Sequence, residues 1–203
     1  MYYFSLIDNF ESIITKGILS HSVIEREKIK RADFSNQSVQ VRRSKRNIII
    51  NSKVFPPLHE FVPLYFVTKT PTLYAIAAEG LQNSIFFIDA DIQSIYKNKE
   101  KIVLYTDGNA ASLKTKFFDN KDTAKKEIDF KVFDTIYWND YPDGKRKTNA
   151  EILVHERVEP VYFKRIAVNN ENLFDYIKGK LDLINWKGLE KNFTLEINPE
   201  FFF

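Results

Sequence analysis

The sequence predicts an α+β fold in a single domain over residues 1–203. Three observations carry that reading. Strand-like and helix-like stretches mix without the regular alternation of a parallel α/β protein. Gly (6) and Pro (7) are scarce, and no low-complexity linker or internal repeat divides the chain. Hydrophobic residues make up 44%, enough for a packed core, while charged residues stay at 28%, too few for a disordered chain.

The elements follow in order. Tyr2-Tyr3-Phe4-Ser5-Leu6 reads as a buried strand. Asp8 is placed to cap a helix whose apolar face is Phe10, Ile13 and Ile14 and whose stop is Gly17. Residues 22–46 are polar and close on Arg42-Arg43-Ser44-Lys45-Arg46. Ile48-Ile49-Ile50 is a short apolar run before a loop that ends at Pro56-Pro57. Phe61 to Val67 reads as a strand, and Thr72 to Ala78 as a short helix with Pro71 at its start. Strands at Ser84–Asp89 and Ile102–Tyr105 flank a helix at Asp91–Lys97. Residues 106–150 are loop-rich, anchored by Phe117-Phe118 and Tyr137-Trp138. Glu151–Val158 and Phe163–Val168 are strands, Glu171–Lys178 a helix, and Thr194–Ile197 a closing strand.

Composition excludes much chemistry. With no cysteine there is no disulfide, no thiol nucleophile and no thiolate metal site. His21, His59 and His155 stand at no metal-ligand spacing, so no metal is expected. The phosphate loops GxxxxGK[ST] and GxGxxG and the GxSxG elbow are absent. No apolar run reaches the roughly 20 residues of a membrane helix, and the N-terminus lacks a signal core, so the expected compartment is the cytoplasm. A net charge of +3 permits a nucleic-acid partner without demanding one.

Three segments could carry function. Arg42 to Arg46 is ordinary as a solvated face, but arginine forks also suit phosphates. Glu151 opens an apolar strand directly after the basic run Lys145-Arg146-Lys147. It reads either as a strand-edge glutamate paired with a lysine, or as a carboxylate at a cleft rim that steadies a positive sugar-like transition state. Thr106-Asp107-Gly108-Asn109 is first of all a turn.

In combination these segments resemble the DarT family of DNA ADP-ribosyltransferase toxins along nearly the whole chain. The blocks run in order: Tyr3 to Phe10, Gln40-Val41-Arg42-Arg43, Leu58-His59-Glu60-Phe61-Val62-Pro63-Leu64-Tyr65-Phe66, Pro71 to Ile76, Thr106 to Ala110, and Lys145-Arg146 with Ala150 to Val154. The chain also closes on rings, Phe201 to Phe203, much as the family does. The resemblance implies an ADP-ribosyltransferase-like fold in which two small sheets with flanking helices form a cleft for NAD. It implies transfer of ADP-ribose to a base of single-stranded DNA, thymine first and guanine as an alternative, with RNA or protein acceptors also open. Glu151 matches the catalytic glutamate. Arg43 matches an NAD-binding arginine with a catalytic part. Tyr3, Phe4 and Ser5 match the strand that grips nicotinamide, and Ser12 and Ser20 fall at NAD-contact positions. Arg42, Arg46, Asn109, Lys145 and Arg146 become candidates for DNA contact. A macrodomain-type antitoxin partner and a monomeric state are implied as well. Tyr3 and Asn109 stand where the family usually or often has histidine, and Pro56-Pro57 replaces a glycine pair. A module that binds nucleic acid without catalysis is the competing reading, carried by the basic clusters alone.

Overall fold

Strand β1 (Tyr2–Leu6) sets the plan of the molecule, here described from a computed structural model over residues 1–33, 37–135, 137–184 and 193–203. It pairs antiparallel along its whole length with β6 (Ile85–Ala90), but with β5 (Phe61–Tyr65) at one position, Tyr2 opposite Tyr65. On the β6 side follow β11 (Phe163–Val168) and the parallel strand β12 (Thr194–Ile197). On the β5 side follow β9 (Glu151–His155), β7 (Val103–Thr106) and β8 (Phe117–Phe118). The α+β class expected from the sequence is therefore present. The two sheets take the form of two four-stranded halves of one hydrogen-bonded sheet, joined through a single residue pair.

Pro63 helps explain why the halves part there. A proline cannot donate to a ladder, so it sits where a strand faces an opening. Between Phe61 and Leu64, β5 pairs with β9, and its other edge faces the gap beside β1.

The helices fill the faces. Phe86 and Ile88 point to one side of β6, and Ile85 and Phe87 to the other, as a period of two requires. The first side packs on α1 (Phe10–Lys16), α5 (Ile92–Lys97) and α8 (Glu171–Leu183). The second packs on α4 (Pro71–Ala78) and on Phe202 near the C-terminal end. Around the other half-sheet, a separate cluster joins Leu104, Leu153 and Phe61 to the hairpin of β3 (Ile48–Ile50) and β4 (Lys53–Phe55). On this side, the space between the two clusters is the cleft.

Local chemistry sets the ends. Thr70 caps α4 by accepting from the Leu73 N–H at 3.1 Å, with Pro71 in the first turn. Asn51 and Ser52 both have positive φ, the signature of a tight two-residue hairpin turn, so the expected loop after Ile50 is the β3–β4 hairpin instead. Asp8 does not cap α1: it lies in a 3-10 turn, and the cap position falls to Asn9. Asn9 spends its side chain on a tertiary tie, donating to Ser5 Oγ and the Ala32 carbonyl and accepting from the Ala32 N–H. The strand expected over Glu151–Val158 breaks at Glu156, whose φ is 60°, and resumes as β10 (Arg157–Val158) beside β2 (Ile18–Leu19).

Gly17 ends α1 at φ +88°, and a Cβ there would lie 2.5 Å from the Val158 carbonyl oxygen. Gly17→Ala is expected to lose about 2 kcal/mol or more of stability, through left-handed backbone strain plus a backbone clash. Urea unfolding of the two proteins measures it.

Candidate active site

Helices α2 (His21–Arg26) and α3 (Gln37–Ser44) form one wall of the cleft. α3 ends on Arg42 and Arg43, where cations suit the helix's negative end. Arg42 faces outward, its guanidinium 3.5 Å from Ser38 Oγ. Arg43 turns inward and is 9% exposed.

Opposite it stands Glu151, 1% exposed at the start of β9. Arg43 Nη1 donates to Glu151 Oε2 at 2.9 Å and reaches Oε1 at 3.3 Å. The Ala110 N–H donates to Oε1 at 3.0 Å. The Glu151 N–H donates to Thr106 Oγ1 at 2.8 Å, and that hydroxyl donates to the Gly108 carbonyl at 2.7 Å. The Thr106–Ala110 turn is thus a brace for one carboxylate. Charge-assisted bonds of this kind hold an anion where water cannot.

Tyr65 lies opposite Glu151 in the β5–β9 ladder and stacks on Phe4, centroids 5.6 Å apart. Burial pushes the Tyr65 phenol well above the ordinary range, and the Glu151 charge adds to that. Burial also raises the Tyr3 phenol, so both hydroxyls keep their protons and can donate. His59 goes the other way: burial, then neighbouring His21 and Arg43, lower it to about 4. It is neutral near neutral pH, its ring 4.3 Å from that of His21.

Together these side chains line a cavity of about 550 Å³, within the range of ligand sites. Tyr3, Phe4, Ser5, Ser12, Ser20, Arg42, Arg43, Asn109, Lys145 and Glu151 all line it. Ser20 also caps α2, accepting from the Val23 N–H. Asn109 uses its side-chain oxygen to accept from the Ala111 N–H.

Two candidates for DNA contact do not line the cavity. Arg146 is ion-paired with Asp107 at 2.9 Å and Asp143 at 2.6 Å, and it lies over Gly108, which has no room for a Cβ. Its work is to hold the Thr106–Ala110 turn. Arg46 donates to the Thr115 carbonyl and covers the Phe117 ring. Sequence reasoning gave no role to Tyr65, His59, Thr72 or Asn149, all on the cavity wall, nor to Thr106 behind it. Asn149 Oδ1 accepts from Thr72 Oγ1 at 2.8 Å and so joins α4 to the segment before Glu151. For Tyr65 and His59, the only sequence signal was their place in the block Leu58 to Phe66.

Among the described residues, no group of three His, Cys, Asp or Glu side chains could hold a metal, and no helix is long and apolar enough to cross a membrane.

The chain as a whole is similar to known proteins. A family model described as ssDNA thymidine ADP-ribosyltransferase, DarT, matches residues 2–203. A DNA ADP-ribosyl transferase–DNA ADP-ribosyl glycohydrolase fusion protein of Thermosipho africanus is 32% identical over 203 residues, 100% of this chain and 49% of that protein. The chain thus spans about half the length of that curated relative. The structure of Thermosipho africanus DarTG in complex with ADP-ribose superposes with a TM-score of 0.82 at 31% identity, over 100% of this chain and 50% of that one. The structure of Thermus sp. 2.9 DarT in complex with ADP-ribosylated ssDNA gives 0.83 at 22% identity, over 100% and 95%, a likeness of fold.

Glu151→Ala should destabilise the protein by about 3 kcal/mol, because it leaves the Arg43 charge buried without its partner. A double-mutant cycle with Arg43→Met, read by denaturant unfolding, checks the coupling. Stability should also fall as pH drops from 6.5 towards 4. In that window the unfolded chain protonates His59 and the folded chain does not. His59→Gln should flatten that part of the pH–stability curve.

Proposed function

This chain belongs to the DarT family, and from that premise we propose that it transfers ADP-ribose from NAD to a thymine of single-stranded DNA and releases nicotinamide. The observation that carries the reading is the buried Arg43–Glu151 pair at the floor of a cavity of about 550 Å³, on the two residues to which the sequence resemblance assigns the catalytic part. The relative from Thermus sp., named a DNA ADP-ribosyl transferase and 26% identical over 182 residues, supports it.

The chemistry fits the donor set. Breaking the bond between ribose C1′ and the nicotinamide nitrogen sends the electron pair to nicotinamide, which leaves neutral, while C1′ gains positive character. Glu151 accepts a hydrogen bond from a hydroxyl of that ribose and lowers the energy of the positive centre. Tyr3, Phe4 and Ser5 on β1, beside the gap to β5, hold the nicotinamide end. Ser12 and Ser20 border the rest of the NAD site. In DNA, the ring nitrogen of thymine that carries hydrogen is N3. A bond from N3 to C1′ forms, and its proton is released. Arg43 stays charged throughout, because a guanidinium is far too weak an acid to serve as a base near neutral pH. Its part is to orient Glu151 and offset negative charge on NAD or on the base.

Arg42 and Lys145, on the cavity wall, are placed for DNA phosphates, with Asn109 near the acceptor base. A single strand lowers the cost of presenting that base, since no pairing has to be broken. A monomer working in the cytoplasm as a single domain is part of this reading. The relative fused to a glycohydrolase supports a toxin whose antitoxin partner, of macrodomain type, removes the modification.

Mass spectrometry of oligonucleotides after incubation with NAD should show one added ADP-ribose on thymine. Glu151→Gln should lose at least about a hundredfold in rate, as loss of an electrostatic transition-state contact predicts. Transfer to none of the four bases would end this reading. Transfer to guanine would correct its acceptor.

A further inference from the structure

Three rings meet on the outer side of α4, two of them exposed and Trp138 half-buried. Tyr74 is 53% exposed and Phe203 is 45% exposed. Their centroids lie 5.4 Å apart, and Trp138 lies 5.5 Å from Tyr74 and 6.1 Å from Phe203, each pair edge-on. The Lys69 ammonium stands 6.0 Å from the Phe203 ring centre. Single exposed rings are ordinary, but a cluster with a cation beside it marks an interaction surface.

Two of the segments that carry these rings also build the cavity. α4 turns Thr72 and Ala75 into it while Tyr74 faces out. Gly144 packs so tightly under the Trp138 carbonyl that a Cβ would overlap it. The next residue, Lys145, lines the cavity. The Thr72–Asn149 bond fastens α4 to this second segment. The rings therefore adjoin the cavity wall.

The charges favour a nucleotide. Lys69 stands beside the Phe203 ring and Lys145 lines the adjoining cavity wall, while Asp129 and Asp143 are paired with Lys147 and Arg146. A purely apolar partner gives the lysines nothing to bind, and a lone phosphate gives the rings nothing to stack on. A strand of bases and phosphates uses both.

We infer that Tyr74, Trp138 and Phe203 form a stacking platform for a base of single-stranded DNA next to the one modified. The inference rests on the DNA substrate proposed above. A target base that turns into the cavity leaves its neighbour without a stacking partner. A protein ring in that place returns the lost stacking and keeps the strand from swinging away. An edge-on contact takes up at most one face of one ring in each pair, so it does not use up the faces as a parallel stack would.

The test uses two readouts. In a Trp186→Phe protein, Trp138 is the remaining tryptophan. Its emission should be quenched saturably by a thymine-containing oligonucleotide without NAD. In steady-state transfer, Tyr74→Ala and Phe203→Ala should each raise the KM for oligonucleotide about fivefold or more, as loss of one base stack predicts. The KM for NAD should stay unchanged, and Tyr74→Phe should restore the wild-type value. If wild type modifies DNA but the alanine variants keep its oligonucleotide KM, or Trp138 emission does not respond, the platform is overturned while the proposed activity stands. If wild type modifies no DNA, both fall together.

Discussion

The ion pair between Arg43 and Glu151 is the constraint on which the rest depends. A carboxylate at 1% exposure cannot stay charged without compensation. Compensation here comes from three directions: the guanidinium from α3, the Ala110 N–H from the turn after β7, and the Thr106 hydroxyl fixing the backbone of Glu151 itself. Each supplier then needs support. The turn is held by Arg146 through Asp107, and Arg146 in turn by Asp143. One buried charge therefore dictates the identities of a ring of residues that never touch the cavity.

The parted sheet explains where that charge is placed. In a continuous ladder, the space beside β1 would be filled by the next strand, and Glu151 would be sealed in a core. Pairing β1 with β5 at Tyr2 and Tyr65 alone leaves a wedge-shaped opening, and the β5–β9 register sets Glu151 opposite Tyr65 at its apex. Apolar clusters on both sides of the wedge carry the folding energy, so the opening itself can be polar.

Much of this was legible in the sequence because it rests on local rules. The strand at β1, the Phe10–Ile14 helix face, the Pro71 helix start and a glutamate opening an apolar strand after a basic run all follow from patterning and turn chemistry. What escaped depends on partners distant in the chain. Asp8 and Asn9 are both good caps on paper, and the tie to Ala32 decides what Asn9 does. Lys145 and Arg146 are adjacent cations with the same propensities. One lines the cavity and the other is consumed by Asp107, about forty residues away along the chain. For Tyr65 the sequence offers only its place in the block Leu58 to Phe66, because its importance lies in its pairing with Tyr2 and Glu151 across the sheet. The sequence shows Ile48–Ile50 as an apolar run but hides β4 in the loop after it, because the turn residues Asn51 and Ser52 lack the glycine that usually announces a hairpin.

The one-pair junction also bears on how such a protein can change over generations. Across the gap β1 and β5 meet through the Phe4–Tyr65 stack and one ladder pair, so side-chain contact stands there where a hydrogen-bonded ladder would otherwise run. A ladder changes register in whole steps that flip every side chain to the other face. Side chains can be exchanged one at a time. Selection can therefore reshape the room in the cleft by small substitutions along the gap, while the braced carboxylate and the folding core stay untouched. The fold holds one buried carboxylate constant and leaves the shape of the space before it open to drift.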